Sequence, residues 1–309
     1  MRPRVLKFGG TSVGSAASLA RAADIVEGAA RERTVVVVVS ALSGVTSALE
    51  AALAGTAARR LDVAGFVATL RERHLSLLRQ VAVGAGGRAA TAVQAHAQAL
   101  QGRLRETAST GSVSPSSRAA VLAAGERLSA PVFAAALCGR GLDARVLDAA
   151  GLVRTDERHA EAEVDLAATR RLTRATLGAL PEGAVAVITG FIGATANGET
   201  TVLGRGASDL TAAVVGWAIG AERVEIWSDV DGVMSADPRR EPDARTFPYL
   251  TYAQAAALAR AGAKVLHPRT LEALQPAGIP VFVGNTLRPG PGTWIGPAAA
   301  GSPQEPAIA

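Results

Sequence analysis

Two lysines stand alone in an arginine-rich chain. Of 32 basic residues only Lys7 and Lys264 are lysine, and the remainder are arginine. A composition that uses arginine wherever a positive charge suffices points to an ammonium requirement at the two exceptions, a compact point charge rather than a planar fork. Lys7 opens the run Lys7-Phe8-Gly9-Gly10-Thr11-Ser12, where two glycines let backbone approach a ligand and two hydroxyls follow. Gly204-Arg205-Gly206-Ala207-Ser208-Asp209 is a second loop of this kind, with an arginine suited to bidentate carboxylate binding. Backbone N–H groups in such loops, and the helix N-termini that follow them, favour anions.

Rival chemistries lack their residues. The P-loop spacing is absent, and there is no Gly-x-Ser-x-Gly elbow. His74, His96, His159 and His267 are scattered, without zinc spacing, and no metal-ligand set is expected from the protein. Gly84-Ala85-Gly86-Gly87-Arg88-Ala89 fits a relaxed dinucleotide fingerprint but follows a helical stretch, so it reads as a link between helices. The lone cysteine, Cys138, ends an apolar helical stretch and reads as a packed core residue.

These loops need elements to hold them. A short strand, Val5-Leu6-Lys7-Phe8, ends in the first loop, and residues 16–30 follow with helical spacing. Residues 34–40 form a β-branched run apolar throughout, as a parallel strand covered on both faces should be. Helical pattern runs over 61–104 with the glycine-rich break, and 118–137 reads as one long apolar helix carrying Gly125-Glu126-Arg127. Strands are expected near 144–147 and 184–191, with Asn197-Gly198 as a hairpin turn between 188–191 and 200–203. The second loop leads into a helix to Ile219, then the strand Val224-Glu225-Ile226-Trp227. A Pro- and Asp-rich loop over 229–248, a helix over 252–261 and a last strand over 280–284 complete the pattern. The alternation is that of an α/β domain.

Composition agrees with a folded chain. Of 309 residues, 49% are hydrophobic and 19% charged, against about 25% charged in typical globular proteins. Disorder and a disulfide scaffold are both excluded. No uninterrupted apolar run approaches the ~18 residues of a membrane span, and no targeting segment precedes the first strand, so a cytoplasmic, membrane-free protein is expected. A net charge of +5 invites a nucleic-acid reading. Scattered arginines and only 4% aromatics argue against it, since a nucleic-acid groove needs clustered charge and stacking faces.

Six motifs in order complete a pattern. They are Lys7-Phe8-Gly9-Gly10-Thr11-Ser12-Val13, Ser40-Ala41-Leu42-Ser43-Gly44-Val45-Thr46, Gly125-Glu126-Arg127 and Gly204 to Asp209. Trp227-Ser228-Asp229-Val230-Asp231-Gly232 with Asp237-Pro238-Arg239, and Gly262-Ala263-Lys264-Val265-Leu266-His267-Pro268, follow. Together they resemble the catalytic region of aspartate kinases, in the amino-acid kinase superfamily. The resemblance implies a three-layer α/β sandwich with a mainly parallel sheet, and ATP-dependent phosphorylation of the β-carboxylate of L-aspartate, with Mg²⁺ bridging the phosphates. It implies that Lys7 reaches the transferring phosphoryl group and that Asp209 orients Lys7, although Asp209 would equally cap its helix. Arg205 would clamp the substrate α-carboxylate and Glu126 its α-ammonium, with Ser40, Thr46 and Ser208 completing the amino-acid site. For Glu126 the alternative is an exposed helix carboxylate paired with an arginine, which its apolar surroundings over 119–136 disfavour. Gly9, Gly10, Thr11, Ser228, Asp229, Arg239 and Lys264 would contact the nucleotide.

Three departures qualify the pattern. Ala207 stands where the family commonly has glycine, and Met234 where it commonly has tyrosine. The ACT regulatory domains usual in the family are not expected within the 13 residues that follow the kinase region here. The expected organisation is a kinase domain over 1–296, with an amino-acid lobe over 1–183, an ATP lobe over 184–296, and a flexible tail over 297–309. A same-fold kinase with another carboxylate, phosphonate or carbamate acceptor, and a non-catalytic binding subunit, are the alternatives. A homodimer and a separately encoded ACT-bearing subunit stay open as partners.

Overall fold

The computed structural model describes residues 2–82, 86–204, 206–236, 241, 243–260, 266–288 and 290–298. In chain order the elements are β1 (Arg4–Phe8), α1 (Gly10–Val13), α2 (Ala16–Ala30), β2 (Val35–Val39), α3 (Val45–Ala57), α4 (Val63–Val81) and α5 (Gly87–Thr110). Then come α6 (Pro115–Leu122), α7 (Ala124–Cys138), β3 (Ala144–Leu147), α8 (Leu166–Gly178), β4 (Val185–Thr189), β5 (Ile192–Ala194) and β6 (Thr200–Val202). The chain continues through α9 (Ala207–Ile219), β7 (Arg223–Ser228), β8 (Tyr249–Thr251), α10 (Tyr252–Arg260), α11 (Pro268–Leu274), β9 (Val281–Asn285) and β10 (Thr293–Gly296).

Eight strands form one sheet in the order β3-β4-β2-β1-β7-β9-β10-β8. The first six are mutually parallel, and β10 runs antiparallel to β9. Five consecutive valines make β2, each buried, because a strand covered on both faces has no polar side. Alternation along β1 sends Leu6 and Phe8 into a core shared with α2, α3, α4, α5 and α7. Val5 goes to the opposite core, built with α9, α10 and α11. Helices on both sheet faces give the three layers expected. Lys7 shares the parity of Val5, so it faces the layer that contains α9.

The structure corrects several expectations. The helix expected over 118–137 is two segments that meet at Ala123, nearly continuous because Arg127 N–H still donates to the Ala123 carbonyl. This stretch is long and apolar enough to cross a membrane, yet it is mostly buried inside the fold. The hairpin's first arm is β5, not 188–191: β4 ends at Thr189, and Phe191 at φ +68° turns the chain out of the main sheet. Strands β8 and β10 have no counterpart in the sequence reading. Cys138 is exposed, because it is the last residue of α7 and clears the core. Of the helix break expected over 84–87, residues 84 and 85 lie outside the described residues; α4 ends at Val81 and α5 begins at Gly87.

Candidate functional site

Strand β1 lies where the chain's path across the sheet reverses, flanked by β2 on one side and β7 on the other. Ligand sites in open α/β sheets sit outside the strand carboxyl ends at such a point. A cleft of about 320 Å³ opens there, lined by Lys7, Ser40, Thr46, Glu126, Ser208 and Asp209, among others. Loops from distant parts of the chain therefore converge on one space.

Lys7 is 8% exposed and its Nζ stands 2.7 Å from Asp209 Oδ1. Asp209 occupies the first turn of α9, whose N-cap, Gly206, has φ +68°. Only a residue without Cβ adopts that conformation cheaply. A Cβ on Gly206 would also come within 2.9 Å of His267 Cβ, so the turn is packed against the start of α11. Arg269 holds the same turn from behind, donating to the carbonyls of Leu203 and Ala162 at 3.1 Å each.

The loop after β2 forms the opposite wall. Ser40 N–H donates to the Phe8 carbonyl and Ser43 N–H to the Gly10 carbonyl, each at 3.1 Å. The buried Ser129 hydroxyl donates to the Ser40 carbonyl at 2.7 Å, and Arg73 reaches the Ser43 carbonyl at 2.8 Å. Gly10 cannot be larger: a Cβ would sit 2.8 Å from the Ala41 carbonyl oxygen. Gly125 serves the same close approach, since its Cβ would lie 2.7 Å from Ala41 Cβ. That contact lets the next residue reach the loop.

Glu126 is 3% exposed, and its Oε1 accepts the Ala41 N–H at 3.0 Å. Its Oε2 is buried without a hydrogen-bond partner among the described residues. Burial pushes this carboxyl up to about 8, opposed by the amides of Ala41 and Glu126 and, after them, by the charge of Lys7. A buried carboxylate oxygen without a partner is costly. Glu126 is among the residues that line the cleft.

Ser208 is 9% exposed beside Gly190, where a Cβ would fall 2.5 Å from the Ser208 hydroxyl. Phe191 lines the cleft at φ +68°, its N–H held by the Thr211 hydroxyl at 3.1 Å. A phenylalanine in that region is strained, and strain of this kind gathers at ligand sites. The sequence reading missed Phe191, Gly190, Ser129 and Arg73. For Phe191 no local signal in the sequence announces a left-handed phenylalanine. Ala207, the methyl in place of glycine, is buried at 3% and joins the core on the α9 side while touching the cleft.

The residues expected to meet a nucleotide lie beside this cleft, around the ends of β1 and β7. Gly9 N–H is already engaged by the Trp227 carbonyl at 3.0 Å, so Gly9 shapes the turn. Thr11 is exposed, Ser228 half-buried and Asp229 exposed. A Cβ on Gly9 would be 3.7 Å from Ser228 Cβ, which places the two segments side by side. Met234 pairs with Thr246 in an isolated antiparallel bridge. Arg205, Arg239 and Lys264 lie outside the described residues.

Known proteins share both the sequence and this architecture. Residues 2–285 match the amino acid kinase family. An aspartokinase of Chlamydia trachomatis is 35% identical over 309 residues, covering 99% of this chain and 67% of that protein. Lysine-sensitive aspartokinase 3 of Escherichia coli is 36% identical over 291 residues, covering 92% of this chain and 62% of that protein. The crystal structure of E. coli aspartokinase III in complex with aspartate and ADP matches with a TM-score of 0.85 and 34% identity, over 96% of this chain and 65% of that one. The chain thus spans about two thirds of the length of these relatives. On that coverage and identity, the chain belongs to the amino acid kinase family, among the aspartokinases.

Proposed function

We propose that this chain transfers the γ-phosphoryl group of ATP to the β-carboxylate of L-aspartate, giving 4-phospho-L-aspartate for the biosynthesis of aspartate-derived amino acids. The observation that carries the reading is the pairing of opposite demands in one cleft. A lysine held by Asp209 at 2.7 Å stands at one side, and the unpartnered Glu126 Oε2 lies at another. The E. coli relative with aspartate and ADP bound lends the substrates.

The chemistry needs no general base. A side-chain carboxyl with a pKa near ~4 is already a nucleophile at neutral pH. Its oxygen forms the new bond to the γ-phosphorus, the bond to the β–γ bridging oxygen breaks, and ADP leaves with that electron pair. The protein must hold two anions together and stabilise charge on the moving group. In this reading Lys7 supplies that charge and Asp209 fixes its position. Glu126 takes the α-ammonium, Arg205 the α-carboxylate, and Ser40, Thr46 and Ser208 complete the acceptor site. Gly10, Thr11, Ser228, Asp229, Arg239 and Lys264 serve the nucleotide, with Gly9 shaping the turn. The acceptor lobe is then the N-terminal part of the chain and the nucleotide lobe the C-terminal part.

Among the described residues no group of three or more His, Cys, Asp or Glu side chains could hold a metal ion. Mg²⁺ keeps several waters and binds through substrate phosphates with one or two carboxylates. The residues present fit Mg²⁺ arriving with ATP as the metal–nucleotide substrate, where it neutralises phosphate charge. The test is a panel of acids incubated with MgATP and hydroxylamine, which traps acyl phosphates as hydroxamates. Aspartate should give hydroxamate, and succinate and glutamate should not. Preferential turnover of another acid would overturn the acceptor assignment.

A further inference from the structure

We propose that Thr286 is a positioning residue for the nucleotide half of the site, acting through Ser12 to lock the turn after β1 onto the exit of β7. The inference rests on the nucleotide reading above and goes beyond it to residues that reading does not use.

The Trp227 carbonyl accepts two hydrogen bonds, from Gly9 N–H at 3.0 Å and from the Ser12 hydroxyl at 3.2 Å. A hydroxyl has one proton to give. The Ser12 and Thr286 hydroxyls stand 2.7 Å apart, where either can donate; when Ser12 gives its proton to Trp227, Thr286 is the donor to Ser12. Thr286 N–H meanwhile donates to the Ser228 carbonyl at 2.8 Å. One residue therefore grips both segments assigned to the nucleotide, the Lys7–Thr11 turn through its hydroxyl and the β7 exit through its amide.

Its neighbour extends the grip. Asn285 Nδ2 donates to the Asp229 carbonyl at 3.1 Å and to Asp231 Oδ1 at 2.6 Å. Asn285 Oδ1 accepts the N–H groups of Leu287 and Arg288 at 2.9 and 3.1 Å. Ser12 and Thr286 are each 1% exposed, so water cannot replace a lost partner. Valine has the same branched shape without the hydroxyl and would serve if only packing mattered. The chain instead buries two hydroxyls in contact across the carboxyl end of β7, between the segments that follow β1 and β9.

The test uses the whole chain and reads ADP affinity by calorimetry, KM for ATP and for aspartate, kcat and melting temperature. Thr286→Val should weaken ADP by about tenfold, the effect of one buried hydrogen-bonding group left unmade, while KM for aspartate stays within about twofold. Thr286→Ser, which keeps the donor, should restore ADP affinity. Ser12→Ala should weaken ADP similarly, and the double variant should be no worse than the poorer single one, because both remove the same chain of bonds. If Thr286→Val does not fold, Ser12→Ala and Thr286→Ser carry the same comparison. A lower melting temperature with ADP affinity unchanged would reduce the contact to packing and overturn the proposal. So would parallel losses for ADP and aspartate, or a serine variant as impaired as the valine one. A wild-type chain that binds no ADP would remove the nucleotide reading itself, and the brace with it.

Discussion

Replacing Glu126 by glutamine should change how both stability and aspartate affinity respond to pH, in opposite senses. The folded chain holds this carboxyl at about 8 against an ordinary value of 4.5, chiefly through burial. Below pH ~4.5 the group is protonated in both folded and unfolded chains and contributes nothing. Between there and pH ~8 the unfolded chain has released its proton while the folded chain retains it, so stability falls by up to about 1.4 kcal/mol per pH unit. By pH 7 the wild type has lost at most about 3 kcal/mol that the glutamine variant keeps. Thermal melts from pH 5 to 7.5 should therefore show the variant gaining on the wild type, by a difference on the order of 5 °C. Aspartate reverses the preference. Its ammonium binds the ionised carboxylate, so below pH 8 binding must expel a proton, and wild-type KM should fall as pH rises from 6 to 8. Calorimetry in two buffers of unlike ionisation enthalpy measures that proton directly. In the variant the slope should vanish, aspartate kcat/KM should drop by about 10²–10³ as a buried charge pair is lost, and the advantage of aspartate over succinate should collapse. Equal pH slopes in the two proteins, or an aspartate–succinate preference that survives the substitution, would refute the assignment of Glu126 to the ammonium.

Lys7→Arg should cut kcat by about 100-fold or more, since the wider guanidinium displaces the charge by the ~1 Å that positioning tolerates poorly; a melt alongside the assay checks that the fold survives. Gly10→Ala would press a methyl to 2.8 Å from the Ala41 carbonyl oxygen and 3.2 Å from the Ser43 nitrogen. It should destabilise by about 1–3 kcal/mol and weaken both substrates, as denaturant titration and KM values would register. Gly28→Ala, on α2 with nothing within 4 Å of the new Cβ, should instead stabilise by about 0.5–1 kcal/mol; a loss of stability there would show that α2 is packed differently.

What was legible in the sequence was what composition and local spacing control. The five valines of β2 can only be a strand buried on both faces, and the acid at position 126 stood out inside the largely apolar stretch 119–136. The glycine loops marked their own ligand side, since each follows or precedes a regular element at its carboxyl or amino end. Phe191 was not legible: its left-handed conformation goes with the close approach of the preceding Gly190 to Ser208, residues 18 apart in sequence. Strands β8 and β10 have three and four residues and are defined by pairing with each other and with β9. Strand preference depends on such neighbours more than on the residue itself. Cys138 was misread for a related reason: an apolar helix implies a buried face along its length but does not say where its last turn leaves the core.

The two ionisable ends of the cleft reach it from opposite layers of the fold. Lys7 has the parity of Val5 and meets Asp209 on the α9 side of the sheet. Glu126 belongs to α7, which packs on the other side with Leu6 and Phe8. Lys7 pairs with Asp209, whereas Glu126 Oε1 accepts the Ala41 N–H. Lys7 depresses that carboxyl less than the two backbone amides do, and burial still dominates. Because β1 is central and its residues alternate faces, one strand supplies the cation to one layer and the packing for the acid's helix to the other. In the proposed reading, an amino acid with an ammonium at one end and a carboxylate at the other would span the two, with its reactive oxygen on the Lys7 side.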